Sequence, residues 1–107
     1  MKETVIAFDV DGTILNNEGI PSDIPSGLNL EVVTLIQIFS TKMKNTRIIV
    51  WSGGGKEYAE RVVREYGLEK YVDRCYGKND CEEHVDICFD DVHTCSLADK
   101  NLIVRMK

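Results

Sequence analysis

The stretch TVIAFDVDGT, residues 4–13, decides how the rest of the chain is read. Thr4 to Phe8 is a short apolar run rich in β-branched residues. Such a run fits a strand buried on both faces, at the centre of a sheet. It then ends in two acids one residue apart, Asp9 and Asp11, followed at once by Gly12 and Thr13. A strand needing only a polar exit can use one Asp. Like charges placed together cost electrostatic energy unless a cation or a reaction uses them, so the stretch marks a site.

Working outward, Asn16 to Asn29 is rich in Asn, Ser, Gly and Pro, and Pro21 and Pro25 break any helix, so it reads as a loop or small hairpin. Leu30 to Lys44 carries Val32, Val33, Leu35, Ile36, Phe39 and Met43 at helical spacing, with Asn29 as an N-cap. Arg47 to Trp51 predicts a second buried strand. It runs into Ser52-Gly53-Gly54-Gly55 and a helix from about Lys56 to Tyr66, stopped at Gly67. Weaker strands are expected at Arg74 to Tyr76, at Asp86 to Phe89 before Asp90-Asp91, and at Asn101 to Arg105, with a short helix near His93 to Ala98. Alternating strands and helices predict a single α/β domain over residues 1–107, with a mainly parallel, Rossmann-like sheet.

The 107 residues fit one compact domain, and the net charge of -5 disfavours nucleic acid or an anionic membrane as partner. An anionic substrate then needs a local positive site. There is no apolar run of membrane-spanning length, and Met1-Lys2-Glu3 does not open a signal peptide, so the expectation is a cytoplasmic protein with reduced cysteines. Cys81, His84, Cys88, His93 and Cys95 contain no Cys-x-x-Cys pair, and zinc is not expected there. Trp51 reads as core packing.

In open α/β sheets ligands bind at the carboxyl ends of strands, and three strands here end in chemistry: Asp9 and Asp11, Ser52 with its glycines, and Asp90 with Asp91. This ordered set, with Lys78 between the second and fourth parts, resembles the four motifs of the haloacid dehalogenase-like superfamily. The resemblance spans nearly the whole chain. It implies a three-layer fold of five strands in the order 5-4-1-2-3, Mg²⁺ dependence, and most often phosphatase activity. It also implies that Asp9, Asp11, Asp90 and Asp91 surround the metal, Asp11 through its backbone carbonyl, and that Thr13, Ser52, Gly53, Gly54 and Lys78 serve the substrate phosphate. Lys56 and Lys70 compete with Lys78 for the last role.

The chemistry gives these residues reasons. An Asp carboxylate can attack phosphorus and form an aspartyl-phosphate, which suits Asp9 at the strand end. Protonating an alcohol leaving group and then activating water suits Asp11. A hard cation relieves repulsion between carboxylates and phosphate. Ser52 offers a hydroxyl, the glycines offer backbone N–H groups, and Lys78 offers a point charge.

The cap domain that many relatives insert is not expected, because both insertion points are short. An open site could take a phosphorylated small molecule or macromolecule, or be covered by another subunit of a homo-oligomer. The rival expectation is a non-catalytic or regulatory module of the same fold that binds Mg²⁺ and a phosphorylated ligand or partner.

Overall fold

Five strands and two helices account for the regular structure of the computed structural model, which describes residues 3–15, 27–90 and 98–103. Strand β1 is Thr4–Asp9, α1 Leu30–Lys42, β2 Thr46–Ser52, α2 Lys56–Glu65, β3 Arg74–Gly77, β4 Val85–Asp90 and β5 Ala98–Ile103. All four pairings are parallel, and the sheet order is β3-β2-β1-β4-β5. This is the expected order, read from the other edge. It places β1 between β2 and β4, so the chain leaves β1 on one side and returns on the other. A crevice opens at such a reversal.

Along β1 and β2 successive side chains face opposite sides of the sheet, and both sides are buried. Ile6, Phe8, Ile48 and Val50 join Phe89 against Val32, Val33 and Ile36 of α1 and Ala59, Val62 and Val63 of α2. The Phe8 and Phe89 rings stack with centroids 4.7 Å apart. Val5, Ala7, Ile49 and Trp51 form a second cluster with Val85 and Cys88. Both described helices therefore lie on one face. The second helical layer of the expected three-layer fold is not found among the described residues.

Local signals place the helices. The Asn29 side chain accepts hydrogen bonds from the Glu31 and Val32 N–H groups, capping α1. Gly67, at φ +68°, ends the α2 segment in the left-handed region. Two expectations need correction. Strand β5 begins at Ala98, not Asn101, so Ala98 belongs to a strand rather than a helix. Asp99 and Lys100 hid that start, because a strand at the sheet's edge pairs on one side only and tolerates charged residues. The rest of the proposed helix, like most of the loop from Asn16 onward, lies outside the described residues. No helix among the described residues is long and apolar enough to cross a membrane.

Cys75 and Cys81 are free thiols, Cys88 is buried, and Cys95 lies outside the described residues. Burial pushes the Cys75 thiol up to about 11, with the nearby Glu60 charge adding to it, and burial also raises Cys81. Only the thiolate is nucleophilic. At pH 8 iodoacetamide should therefore label Cys75 about 100-fold more slowly than an ordinary thiol, in proportion to the lost thiolate fraction. Peptide mapping by mass spectrometry measures this; labelling at the rate of the urea-unfolded chain would contradict the half-buried placement.

Candidate active site

The first acid closes β1, and its backbone helps set the turn that follows. Ile14 N–H donates to the Asp9 carbonyl at 3.3 Å, Leu15 N–H to that of Val10 at 2.9 Å, and Gly12 N–H to that of Leu15 at 2.7 Å. Gly12 sits at φ +81°, where a side chain would strain the backbone. The glycine of the motif is thus required by the turn that presents Asp11. The Asp9 side chain is buried and Asp11 is half-buried.

On β2, Ser52 is buried, and its hydroxyl oxygen accepts from Gly54 N–H at 2.9 Å. Its carbonyl accepts from Gly55 N–H at 3.1 Å and from Lys78 N–H at 2.9 Å. Ser52 thereby ties the glycine turn to the segment after β3. The residue preceding α2 is Gly55, at φ +104° with no side-chain cap, so Ser52 organises the turn rather than capping the helix. Gly54 N–H is taken up by Ser52, contrary to the expectation that it stands open to phosphate. The Ser52 hydroxyl proton stays available for donation.

Lys78 unites the set. Its Nζ lies 3.2 Å from Asp9 Oδ1 and 2.6 Å from Asp90 Oδ2, where the Asp90 side chain is fully buried. Burial alone would lower the lysine pKa, but the Asp90 hydrogen bond and the charges of Asp9 and Asp90 outweigh it and raise it. Lys78 is therefore a fixed cation. Of the three lysines weighed from sequence, it is the one that reaches these two acids; Lys70 instead lies over the Tyr71 ring, 5.2 Å from its centre.

Thr13 is fully buried, and its Oγ1 has no hydrogen-bond partner, leaving an unspent donor in the turn. Asp91 lies outside the described residues. Asp11 faces a residue that sequence reasoning missed: the Tyr58 hydroxyl donates to Asp11 Oδ1 at 2.8 Å. Burial, then the hydrogen bond to Asp11, pushes the Tyr58 phenol up to about 12. It remains a donor throughout the neutral range. The available signal was its position in the first turn of α2, directly after the serine turn.

The chain matches no family model, no curated protein and no solved structure. Its chemistry is therefore read from its own residues. Asp9 and Asp90 converge on one cationic group, and both offer hard oxygen donors. Asp9, Asp11 and Asp90 do not bring their side-chain oxygens together as one cluster among the described residues. The cluster that does is His84, Asp86 and Asp99, with ligand atoms within 4.8 Å of one another. It is partly or fully exposed and includes residues at the starts of β4 and β5, away from the carboxyl ends that carry Asp9, Ser52 and Asp90.

Another ionic group lies at the start of β2. Arg47 pairs with Glu3 at 3.0 Å, with Asp73 at 2.7 Å and with Glu83, bracing residues that precede β1, β3 and β4. This brace is structural, since its three carboxylates leave little positive charge for a ligand.

Proposed function

We propose that this protein is a Mg²⁺-dependent phosphomonoester hydrolase of the haloacid dehalogenase type, working through phosphorylation of Asp9. One observation carries the reading: Lys78 Nζ bridges Asp9 and Asp90 at 3.2 and 2.6 Å, while its backbone N–H holds the Ser52 carbonyl. A nucleophilic carboxylate, an acid at a neighbouring strand end, a hydroxyl and a cation thus meet at the ends of β1, β2 and β4.

In the first step Asp9 attacks phosphorus, its bond to phosphorus forms, and the bond to the leaving oxygen breaks. Asp11 donates a proton to that oxygen. In the second step Asp11 takes a proton from water, the water oxygen attacks phosphorus, and the Asp9–phosphorus bond breaks, releasing phosphate. Lys78 stabilises the charge spread over the phosphoryl oxygens, and Ser52 donates its hydroxyl to one of them. Mg²⁺ held by Asp9 and Asp90, with Asp91 and the Asp11 carbonyl as further donors by resemblance, would offset repulsion between the carboxylates and the phosphate.

The substrate is a phosphorylated small molecule or macromolecule. The test is phosphate release from a generic aryl phosphate by the purified protein. Turnover with Mg²⁺ that stops in excess chelator and returns on adding Mg²⁺ supports the reading. Metal-independent turnover would reject the metal-assisted mechanism. Mg²⁺-dependent binding of beryllium fluoride without any turnover would favour the non-catalytic module.

A further inference from the structure

We propose that Tyr58 is a positioning residue that orients Asp11, committing one carboxylate oxygen to the Tyr58 hydroxyl and leaving Oδ2 as the oxygen that exchanges the proton. The inference rests on the phosphatase reading above and assigns a role that the ordered acids, serine and lysine do not include.

Tyr58 and Asp11 are 47 residues apart, and their 2.8 Å hydrogen bond joins α2 to the turn after β1. Three features hold the tyrosine in place. Its ring packs against the apolar core that α1 and α2 share. A β-carbon at Gly54 would lie 3.2 Å from its Cδ2 and 3.3 Å from Ser52 Oγ, so the glycine lets the ring approach the serine turn closely. The Arg61 guanidinium carbon lies 5.3 Å from the ring centre, within cation–π range.

Asp11 needs such a partner. It stands half-buried in a turn beyond the strand end, where an unanchored carboxylate samples several rotamers. A proton donor misplaced by one rotamer cannot reach the leaving oxygen, so fixing it converts a rare geometry into the resident one. The carboxylate has two oxygens, and Oδ1 is the one that accepts from Tyr58. The serine turn and the proton donor are thereby coupled through one ring, which ties the orientation of Asp11 to the phosphate-facing hydroxyl.

The leaving group provides the test. Protonation matters little for nitrophenolate and greatly for an alkoxide, so a residue that orients the proton donor affects the two unequally. Steady-state kinetics with 4-nitrophenyl phosphate and with an alkyl phosphate should be measured for wild type, Tyr58→Phe, Asp11→Asn and the double variant. Tyr58→Phe keeps the packed ring, and its unfolding midpoint verifies that the fold is retained. The expected result is a fall in kcat/KM, which reports the phosphorylation step and not the shared hydrolysis of the aspartyl-phosphate, of about 10-fold or more for the alkyl ester and about 2-fold or less for the nitrophenyl ester. In the Asp11→Asn background the same substitution should have no further effect. Equal losses of kcat/KM on both substrates, or an undiminished loss in the Asp11→Asn background, would overturn the positioning role while leaving the phosphatase reading intact. If wild type hydrolyses neither ester, the phosphatase reading fails and this role fails with it.

Discussion

Asp9→Asn should abolish the proposed Mg²⁺-dependent phosphate release, with kcat falling by roughly 10⁴-fold or more, the scale seen when the nucleophile of a covalent mechanism is removed. The amide keeps the size of the carboxylate, so the β1 pairing and the Asp9 backbone bond within the turn remain. What goes is the charge proposed to attack phosphorus, which is also one of the two carboxylates around Lys78 Nζ. The fold should survive, because Asp90 still holds the lysine at 2.6 Å. Two measurements read the result: phosphate release under saturating aryl phosphate, and mass spectrometry of acid-quenched protein. Wild type should carry a phosphoryl group on the peptide containing Asp9, and the variant should carry none. Activity within tenfold of wild type in a properly folded variant would sink the nucleophile assignment.

Lys78→Met has the second-largest effect, and it acts on stability as well as rate. The methionine fills much of the space of the lysine stem but leaves Asp9 and Asp90 facing each other without the cation. Breaking a buried ion pair by removing one partner costs about 3–5 kcal/mol, because the remaining charge stays buried. The Lys78 side chain keeps 20 % exposure, which places the loss near the lower end, about 3 kcal/mol. For a domain of this size that lowers the unfolding midpoint by roughly 10–20 °C. Turnover should fall by about 10²–10³-fold, the usual consequence of losing a charge that stabilises the transition state. Calorimetry with and without Mg²⁺ separates the two roles. A cation able to sit between the acids should raise the midpoint of Lys78→Met more than that of wild type. A variant as stable as wild type without metal would show that the bridge contributes little.

The parts of this arrangement differ in how visible they were beforehand. Asp9, Ser52 and Asp90 were legible because parallel strands buried on both faces appear as continuous apolar runs. The residue ending such a run must lie at the carboxyl edge of the sheet. Asn29 and Gly67 were legible for a local reason, since caps are satisfied within one helical turn. The lysine was only partly legible: the order of the motifs pointed to Lys78, but Lys56 and Lys70 carry the same charge on the same flexible stem. The structure adds that Lys78 reaches Asp9 and Asp90, its N–H docking on the Ser52 carbonyl after the short edge strand β3 with Nζ between the two acids. Tyr58 was hidden because its partner is 47 residues away. The start of β5 was hidden because an edge strand does not need to be apolar.

Sequence alone determined the number of strands, their approximate places, helices α1 and α2, and the acids and serine that end the strands. Each of these follows from periodicity or from interactions spanning a few residues. Strand order also came out as the motif resemblance implied, but the packing of both described helices on one face emerged only from the tertiary structure. So did the Lys78 bridge between Asp9 and Asp90, the commitment of Gly54 N–H to Ser52, the Tyr58–Asp11 bond and the brace around Arg47. These depend on which distant segments meet, and a charged or hydrogen-bonding side chain acquires its role from the partner that folding brings within about 3 Å.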